Sequence, residues 1–339
     1  MVAGKFKVLI LTDHSGHSKE NSLYDLSVKM LAHSMTAGVD VASRANEVNG
    51  SFFNREVDAR LQVTSIGEDF KFSSENHPLE QELFETSLEV YDLVWLRLPP
   101  PLSQEFLGFI NETWEDKVVI NDPKGIYETG SKEFLLNFPA LTPPTKICSS
   151  LEEIVAFKNQ FPIVLKPLRE YGGRGLVRVE NDSVWMGTRL VSFAEFAKAY
   201  SESPIEYLGV KYLKNVGKGD KRVVVVNGEI LGASLRLPPK DSWICNVSLG
   251  GSSNISDVDE DERKMVEVVN PVLTKMGIVM YGLDTLVGDD GKRILSEINS
   301  TSIGGLPQIA ALKKQPLVEK AIDLIWSYFE TKKDLKKKK

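Results

Sequence analysis

A mixed α/β (α+β) architecture follows from three observations on the 339-residue sequence. Short apolar runs near the N-terminus alternate with a helical pattern, the order of an open α/β sheet. From Ile163 onward, apolar runs face each other across glycine-bearing turns, the order of antiparallel hairpins. An amphipathic helical pattern closes the chain. At roughly 100–200 residues per domain, two or three domains are expected.

Phe6–Thr12 is a short apolar run and reads as a buried first strand. After the polar loop 13–18, residues Leu23, Leu26, Met30, Leu31 and Met35 recur at helical spacing with Gly38 as the stop. Residues 39–42 resume extended structure. Residues 93–98 and 118–120 are further strands, and Asn121-Asp122-Pro123 breaks the chain at a first boundary. Residues 163–166 and 176–179 flank a glycine-rich turn. Asn227-Gly228 and Gly288-Asp289-Asp290-Gly291 read as the turns of two hairpins. Between them, residues 261–276 read as a helix with Met265, Val268, Val272 and Met276 on one face. Pro271 is a candidate kink and Gly277 the stop. Leu317, Ala321, Leu324, Ile325 and Tyr328 mark the last helix, and residues 336–339 a solvated, disordered basic end.

Hydrophobic residues make up 42% and charged residues 26% of the chain, ordinary values for a soluble globular protein. A net charge of −6 argues against general affinity for nucleic acid. The two cysteines, Cys148 and Cys245, lie far apart and imply no disulfide framework. There is no signal-peptide pattern and no run of ~18 apolar residues, so no membrane span is expected. The expectation is a cytoplasmic protein.

The final hairpin carries the most informative chemistry. Glu297 and Asn299 are two residues apart and share a sheet face. If the turn is centred between Asp289 and Asp290, Asp284 pairs with Leu295 and lies diagonal to Glu297 on that face. Leu283, Leu286, Ile294 and Ile298 then point the other way. An odd-length loop would flip Asp284 away. Two carboxylates on one face repel unless a cation sits between them, and hard oxygen donors suit Mg²⁺. A solvated polar face is the alternative.

Lys166 leads into a turn bearing Gly172 and Gly173, where backbone N–H groups can approach phosphates closely. Arg222 and Arg236 suit phosphate or carboxylate oxygens, but a plain Asn227-Gly228 turn would put them on opposite faces. A bulge, or a site at the strand ends, is required for both to reach one point. His14 and His17 lack a third ligand nearby, so a polar substrate loop or plain solvent exposure is expected in place of a metal site.

In order, the chain resembles the ATP-grasp superfamily, and most closely bacterial glutathione synthetase, over nearly its whole length. The resemblance rests on Val94-Trp95-Leu96-Arg97 running into prolines, Ile120-Asn121-Asp122-Pro123, Leu141-Thr142-Pro143 and Val164-Leu165-Lys166-Pro167 with Gly172-Gly173. It continues through Gly219-Asp220-Lys221-Arg222-Val223, Gly282-Leu283-Asp284 and residues 297–302. It implies an N-terminal α/β substrate-binding domain (1–122), a central lid domain (123–213) and a C-terminal antiparallel-sheet domain (214–330) with the metal ligands. Residues 331–339 would be a basic tail. Lys132 and Lys166 would contact ATP phosphates, with Gly172 and Gly173 as the lid loop over them. Val210, Lys211, Tyr212 and Leu213 would form the adenine hinge. Arg222 and Arg236 would be catalytic, facing an acyl phosphate. Asp284, Glu297 and Asn299 would hold Mg²⁺ or Mn²⁺.

Two segments depart from the family pattern. After Ser302 the family has proline and then an arginine–glutamate pair, where this chain reads Ile303-Gly304-Gly305-Leu306-Pro307-Gln308. The family's basic residue before the counterpart of Asn246 is replaced by Ile244-Cys245. The expected activity is amide formation from a carboxylate, an amine and ATP, with γ-glutamylcysteine and glycine as the leading pair. A related ligase with another amino-acid substrate and a non-catalytic ATP-binding regulator are the alternatives. Small-molecule substrates and a homo-oligomer are expected, with no nucleic-acid or membrane partner.

Overall fold

The computed structural model describes residues 5–56, 60–238 and 252–337, which form three sheets. The first joins β1 (Phe6–Thr12), β2 (Thr36–Ser43), β3 (Leu61–Ser65), β4 (Phe84–Thr86), β5 (Leu93–Leu96) and β6 (Val118–Ile120) in the order β4-β3-β2-β1-β5-β6. Strands β2, β1, β5 and β6 run parallel. Val8, Leu9, Ile10 and Leu11 are wholly buried, as a parallel strand covered on both faces requires. Helices α1 (Leu23–Ala32), α2 (Gly50–Phe53) and α3 (Gln104–Thr113) belong to this part of the chain, and α4 (Pro123–Thr129) follows β6.

The second sheet contains β7 (Thr145–Cys148), β8 (Ile163–Pro167), β9 (Val177–Glu180), β10 (Ser183–Met186), β11 (Arg189–Ser192) and β12 (Tyr207–Lys211). All its pairings are antiparallel. With α5 (Leu151–Lys158) and α6 (Phe193–Glu202) it builds a separate core around Phe157, Leu165, Val179 and Phe196.

The third sheet has the order β15-β14-β13-β16-β17, from β13 (Asp220–Val226), β14 (Glu229–Leu237), β15 (Ser252–Ser256), β16 (Met280–Val287) and β17 (Arg293–Asn299). Val223, Val225 and Leu283 pack in one core with α7 (Glu260–Lys275). On the other face Val224 and Val226 pack with α8 (Leu306–Lys313) and α9 (Leu317–Lys337). That second face is apolar near the Asn227-Gly228 turn and charged farther along the strands.

Several boundaries differ from the sequence reading. Helix α1 ends at Ala32, so Met35 lies beyond it and Gly38 lies inside β2, paired with Lys7. The parallel ladder claims this segment because β2 must begin early enough to run beside β1. Helix α7 buries Met265, Val266, Val269 and Leu273, while Val268 and Val272 are 52% and 36% exposed. Apolar residues on both flanks made two stripes available, and only packing selects one. Pro271 sits within α7 without ending it. The basic end is helical through Lys337, since α9 continues past its apolar stripe. The departure at Ile244-Cys245-Asn246 lies outside the described residues.

One side chain ties the first sheet to the third. Asn121, directly after β6, is buried and uses its amide fully. Its Nδ2 donates to the carbonyls of Met280 (2.7 Å) and Ser300 (2.6 Å). Its Oδ1 accepts from the backbone of Val279 (2.7 Å) and Met280 (3.0 Å). Beside it the chains meet backbone to backbone. A Cβ at Gly125 would lie 2.2 Å from the Met276 carbonyl oxygen, and Gly277 (φ +72°) abuts Asp122. Arg97, buried at the end of β5, donates to Ser22 Oγ and to the Ile303 carbonyl, closing the N-terminal sheet over the segment that follows β17.

Asn121→Ala should therefore destabilise the chain by at least about 2 kcal/mol, since several buried backbone groups lose their partner. Asn121→Asp should not restore stability, because a carboxylate cannot donate to the two carbonyls. Urea unfolding with an unchanged midpoint in either variant would overturn this assignment.

Candidate active site

Strand alternation decides which charged groups can meet. In the β16–β17 hairpin Val287 pairs with Arg293 and Thr285 with Leu295, so the turn is odd in length. Continued regularly, that register would pair Asp284 with Ser296 and leave Glu297 on the opposite face. A one-residue bulge at Ser296 intervenes, and Asp284 pairs directly with Glu297, with Gly282 opposite Asn299. Asp284, Glu297 and Asn299 thus share a face, through directly opposed rather than diagonal positions. Leu286, two residues from Asp284, lines the same cavity and does not point away.

The β13–β14 hairpin repeats the device. Its register shifts between Val224 and Val225, which leaves Leu231 as the extra residue. Arg222 then pairs with Ser234 and Asp220 with Arg236, placing both arginines on one face. Arg222 is also the partner of Asp284 across β13 and β16.

These side chains converge on Asp284, which is 2% exposed. Arg222 Nε and Nη2 donate to its two oxygens at 2.7 Å each. Arg236 Nη2 lies 2.7 Å from Oδ2, and Asn299 Nδ2 donates to the same oxygen at 3.0 Å. Burial alone would raise the Asp284 carboxyl, but the two guanidiniums outweigh it and hold it well below the carboxylate range. Arg236 also forms a two-point contact with Asp220, at 2.8 and 2.6 Å. Burial and the Asp284 charge push the Asp220 carboxyl up to about 6 against the pull of Arg236.

The lysines lie opposite this cluster. Lys166, on β8, donates to both the carbonyl and the hydroxyl of Ser296 at 3.3 Å. The bulge residue therefore restores the register and supplies acceptors that ladder pairing does not use. Lys132 lies 3.8 Å from Glu297, donates to the Glu170 carbonyl and sits over the Tyr171 ring. Burial lowers both ammonium groups from the usual lysine range, opposed chiefly by Glu297. Gly172, Gly173 and Gly175 all have positive φ (67°, 79° and 68°), a backbone that side chains with a Cβ resist. The Tyr171 hydroxyl anchors this loop on the Gly130 carbonyl at 2.7 Å.

One cavity of about 210 Å³ gathers these groups. Lys132, Lys166, Gly172, Gly173, Val210, Lys211, Tyr212, Leu213, Arg222, Arg236, Asp284, Glu297 and Asn299 all line it. Val164, Val210, Leu286 and Leu295 make part of its wall apolar, and the lysines and arginines supply cationic donors elsewhere on it. That polarity suits a flat heterocycle joined to an anionic chain. The end of β12 and the segment that follows it are held to the tip of the β16–β17 hairpin by Lys211–Asp289 (2.7 Å) and by Asn215 Nδ2 donating to the Gly288 carbonyl (2.7 Å). Arg178 stacks on Tyr212 at 4.0 Å.

Sequence reading missed the support behind the sheet. Lys221 and Thr285 alternate with the site residues and reach Glu262, which is fully buried on the opposite face. Lys221 Nζ donates to Glu262 Oε2 (2.9 Å) and Thr285 Oγ1 to Oε1 (2.8 Å). Asp259 and Glu262 form a capping box at the start of α7, and their spacing is the one local signal that could have been read. His14 is buried, contrary to a solvent-exposed loop. Its ring nitrogens meet Ser43 Oγ (2.7 Å) and Glu80 Oε1 (3.0 Å), and the ring stacks on His77 at 4.4 Å. His77 and Glu80 are too distant in sequence to have been grouped with it.

The family model for the prokaryotic glutathione synthetase ATP-grasp domain matches residues 131–314. The glutathione synthetase of Bradyrhizobium diazoefficiens is 32% identical over 243 residues, spanning 70% of this chain and 74% of the relative. That of Parasynechococcus marenigrum is 29% identical over 246 residues, 71% and 76% of the two chains. Among solved structures, the D-alanine-D-alanine ligase from Coxiella burnetii superposes with a TM-score of 0.62 at 13% identity, covering 98% of this chain and 97% of that one, a likeness of fold. The matched span contains the glycine loop, both bulged hairpins and every lysine and arginine gathered around Asp284: the chain belongs to the prokaryotic glutathione synthetase family, ATP-dependent ligases on the ATP-grasp fold.

Proposed function

We propose that the chain joins γ-glutamylcysteine to glycine at the expense of ATP. The observation that carries this reading is the convergence of Asp284, Glu297, Asn299, Arg222, Arg236, Lys132 and Lys166 on one cavity. A carboxylate oxygen of the donor attacks the γ-phosphorus of ATP and ADP departs, leaving an acyl phosphate. The glycine amine then adds to the acyl carbon, phosphate leaves, and the amine proton is lost to solvent. No side-chain nucleophile is needed. The chain positions the reactants and stabilises charge.

The donor set fits a divalent cation. Among the described residues no cluster of three or more His, Cys, Asp or Glu is found that could hold a metal. Two carboxylates and an amide instead share one face, the kind of sparse oxygen set that Mg²⁺ completes with phosphate oxygens. Asp284, Glu297 and Asn299 would hold it, and when bound it offsets the negative charge of the phosphates. Lys132 and Lys166 would bind the phosphates from the opposite wall. Arg236 and Arg222 would stabilise the acyl phosphate and the tetrahedral species that follows. The loop at Gly172 and Gly173 would exclude water from the acyl phosphate. A second reading, ligation of another amino acid, rests on residues 303–308. There Gln308 Nε2 donates to the Glu20 carbonyl at 2.8 Å, in a segment that differs from the family pattern.

Glycine-dependent ADP release with γ-glutamylcysteine present tests the assignment. A panel of amino acids in which another acceptor is strongly preferred would move it to the second reading. Glu297→Gln should lower turnover by roughly 100-fold or more while unfolding at an unchanged midpoint, since it removes charge and keeps shape. Deleting Ser296 should be milder, because a regular ladder then pairs Asp284 directly with Glu297 and only the acceptors of Lys166 are lost. A loss in the deletion variant as large as that of Glu297→Gln would refute the role given to the bulge.

A further inference from the structure

Beside the cavity just described lies a second one of about 220 Å³. Tyr171 and Asn299 line both, so the two compartments meet at the candidate metal residue. The loop after β5 and helix α3 supply one apolar wall of the second compartment, through Pro99, Pro100, Leu102 and Leu107. The strand end after Asn299 supplies hydroxyls, including Thr301 and Ser302. Ser302 adopts a positive φ of 46°, a conformation that side chains other than glycine rarely hold outside constrained sites.

The charge of this compartment is one-sided. Arg169 lines it, and among the described residues no aspartate or glutamate does. The Arg169 guanidinium lies 4.2 Å from the centre of the Tyr127 ring and spends one N–H on the Tyr127 carbonyl at 3.1 Å. Stacking and that single bond orient the fork and leave its other donors for a ligand. Such a lining accepts a carboxylate and offers no anion to a free ammonium group. The two substrates of the proposed reaction differ in this respect. The acyl donor carries an α-ammonium group through the whole reaction. The acceptor must present a neutral amine to react, which leaves it with a net negative charge on its carboxylate.

We infer that this compartment binds the acceptor amino acid, with its free carboxylate on Arg169 and its amine directed toward Asn299. The inference rests on the ligase reading above and assigns one of its two organic substrates a place. Arg169 is then a specificity-determining residue: it touches the acceptor and takes no part in binding ATP. The Leu102 and Leu107 wall would further favour acceptors with a small apolar side chain over polar ones of the same size.

Steady-state rates of phosphate release test it, with ATP, γ-glutamylcysteine and the acceptor varied in turn. Arg169→Ala should raise the KM for glycine on the order of 10- to 100-fold, the range expected for a lost charge-assisted hydrogen bond. The KM values for ATP and γ-glutamylcysteine should stay within about twofold, and Arg169→Lys should recover part of the loss. Glycinamide, which lacks the carboxylate charge, should be a poor acceptor for the unaltered enzyme and no worse than glycine for Arg169→Ala. Turnover by the unaltered enzyme with the same glycine KM in Arg169→Ala would overturn the inference alone. A rise confined to the KM for ATP or for γ-glutamylcysteine would overturn it as well. No turnover by the unaltered chain with any carboxylate–amine pair would overturn the ligase reading and this inference together.

Discussion

A β-strand turns successive side chains to opposite faces, and every charged group at this site has to obey that alternation. In the third sheet neither hairpin would satisfy it with regular pairing. The odd-length turn between β16 and β17 would separate Asp284 from Glu297 and Asn299, and a plain Asn227-Gly228 hairpin would separate Arg222 from Arg236. Two inserted residues, Ser296 and Leu231, each move half a hairpin by one position. The buried charge of Asp284 is tolerable because the bulges bring two guanidiniums to it. A buried carboxylate left without them would carry a desolvation cost that its hydrogen bond to Asn299 could not offset.

The opposite face of the same strands explains why this arrangement can be stiff. Lys221 lies between Asp220 and Arg222, and Thr285 follows Asp284. Both reach Glu262 beneath the sheet. The charged groups above are therefore mounted on strands that are anchored below by a buried, hydrogen-bonded carboxylate. Asn121 holds the remaining edge, bonding the backbone at the start of β16 and just past the end of β17. The first sheet thereby contributes to the geometry of the β16–β17 hairpin. The second sheet is different: it keeps its own core, and meets the others through Lys166, Lys211 and the packing of Leu208 and Val210.

Much of the architecture was legible in the chain. Apolar runs and turn residues located β1, β2, β5 and β6 of the first sheet, β8 and β9 of the second and β13, β14, β16 and β17 of the third, because burial and turn chemistry are local properties. Residues 50–90 were hard to read, since β4 is a three-residue edge strand and β3 beside it spans only five residues, too short for a clear period. The buried stripe of α7 was misjudged because Val268 and Val272 offered a plausible apolar face that packing leaves in solvent. The burial of His14 was missed because Ser43, Glu80 and His77 come from distant segments.

The site divides along the same line. Residue types and their order alone picked out side chains that the structure gathers around one cavity: the carboxylates and amide of the last hairpin, the paired lysines, the arginines and the glycine turn. Their chemistry is intrinsic to the side chains, so it can be read without coordinates. What they share a face with is set by register, and register depends on a single residue of slippage that no local pattern reveals. Only the tertiary structure placed Ser296 and Leu231 as bulges, Glu262 beneath the sheet and Arg169 beside a second compartment. Each of these depends on pairing between segments far apart in the chain.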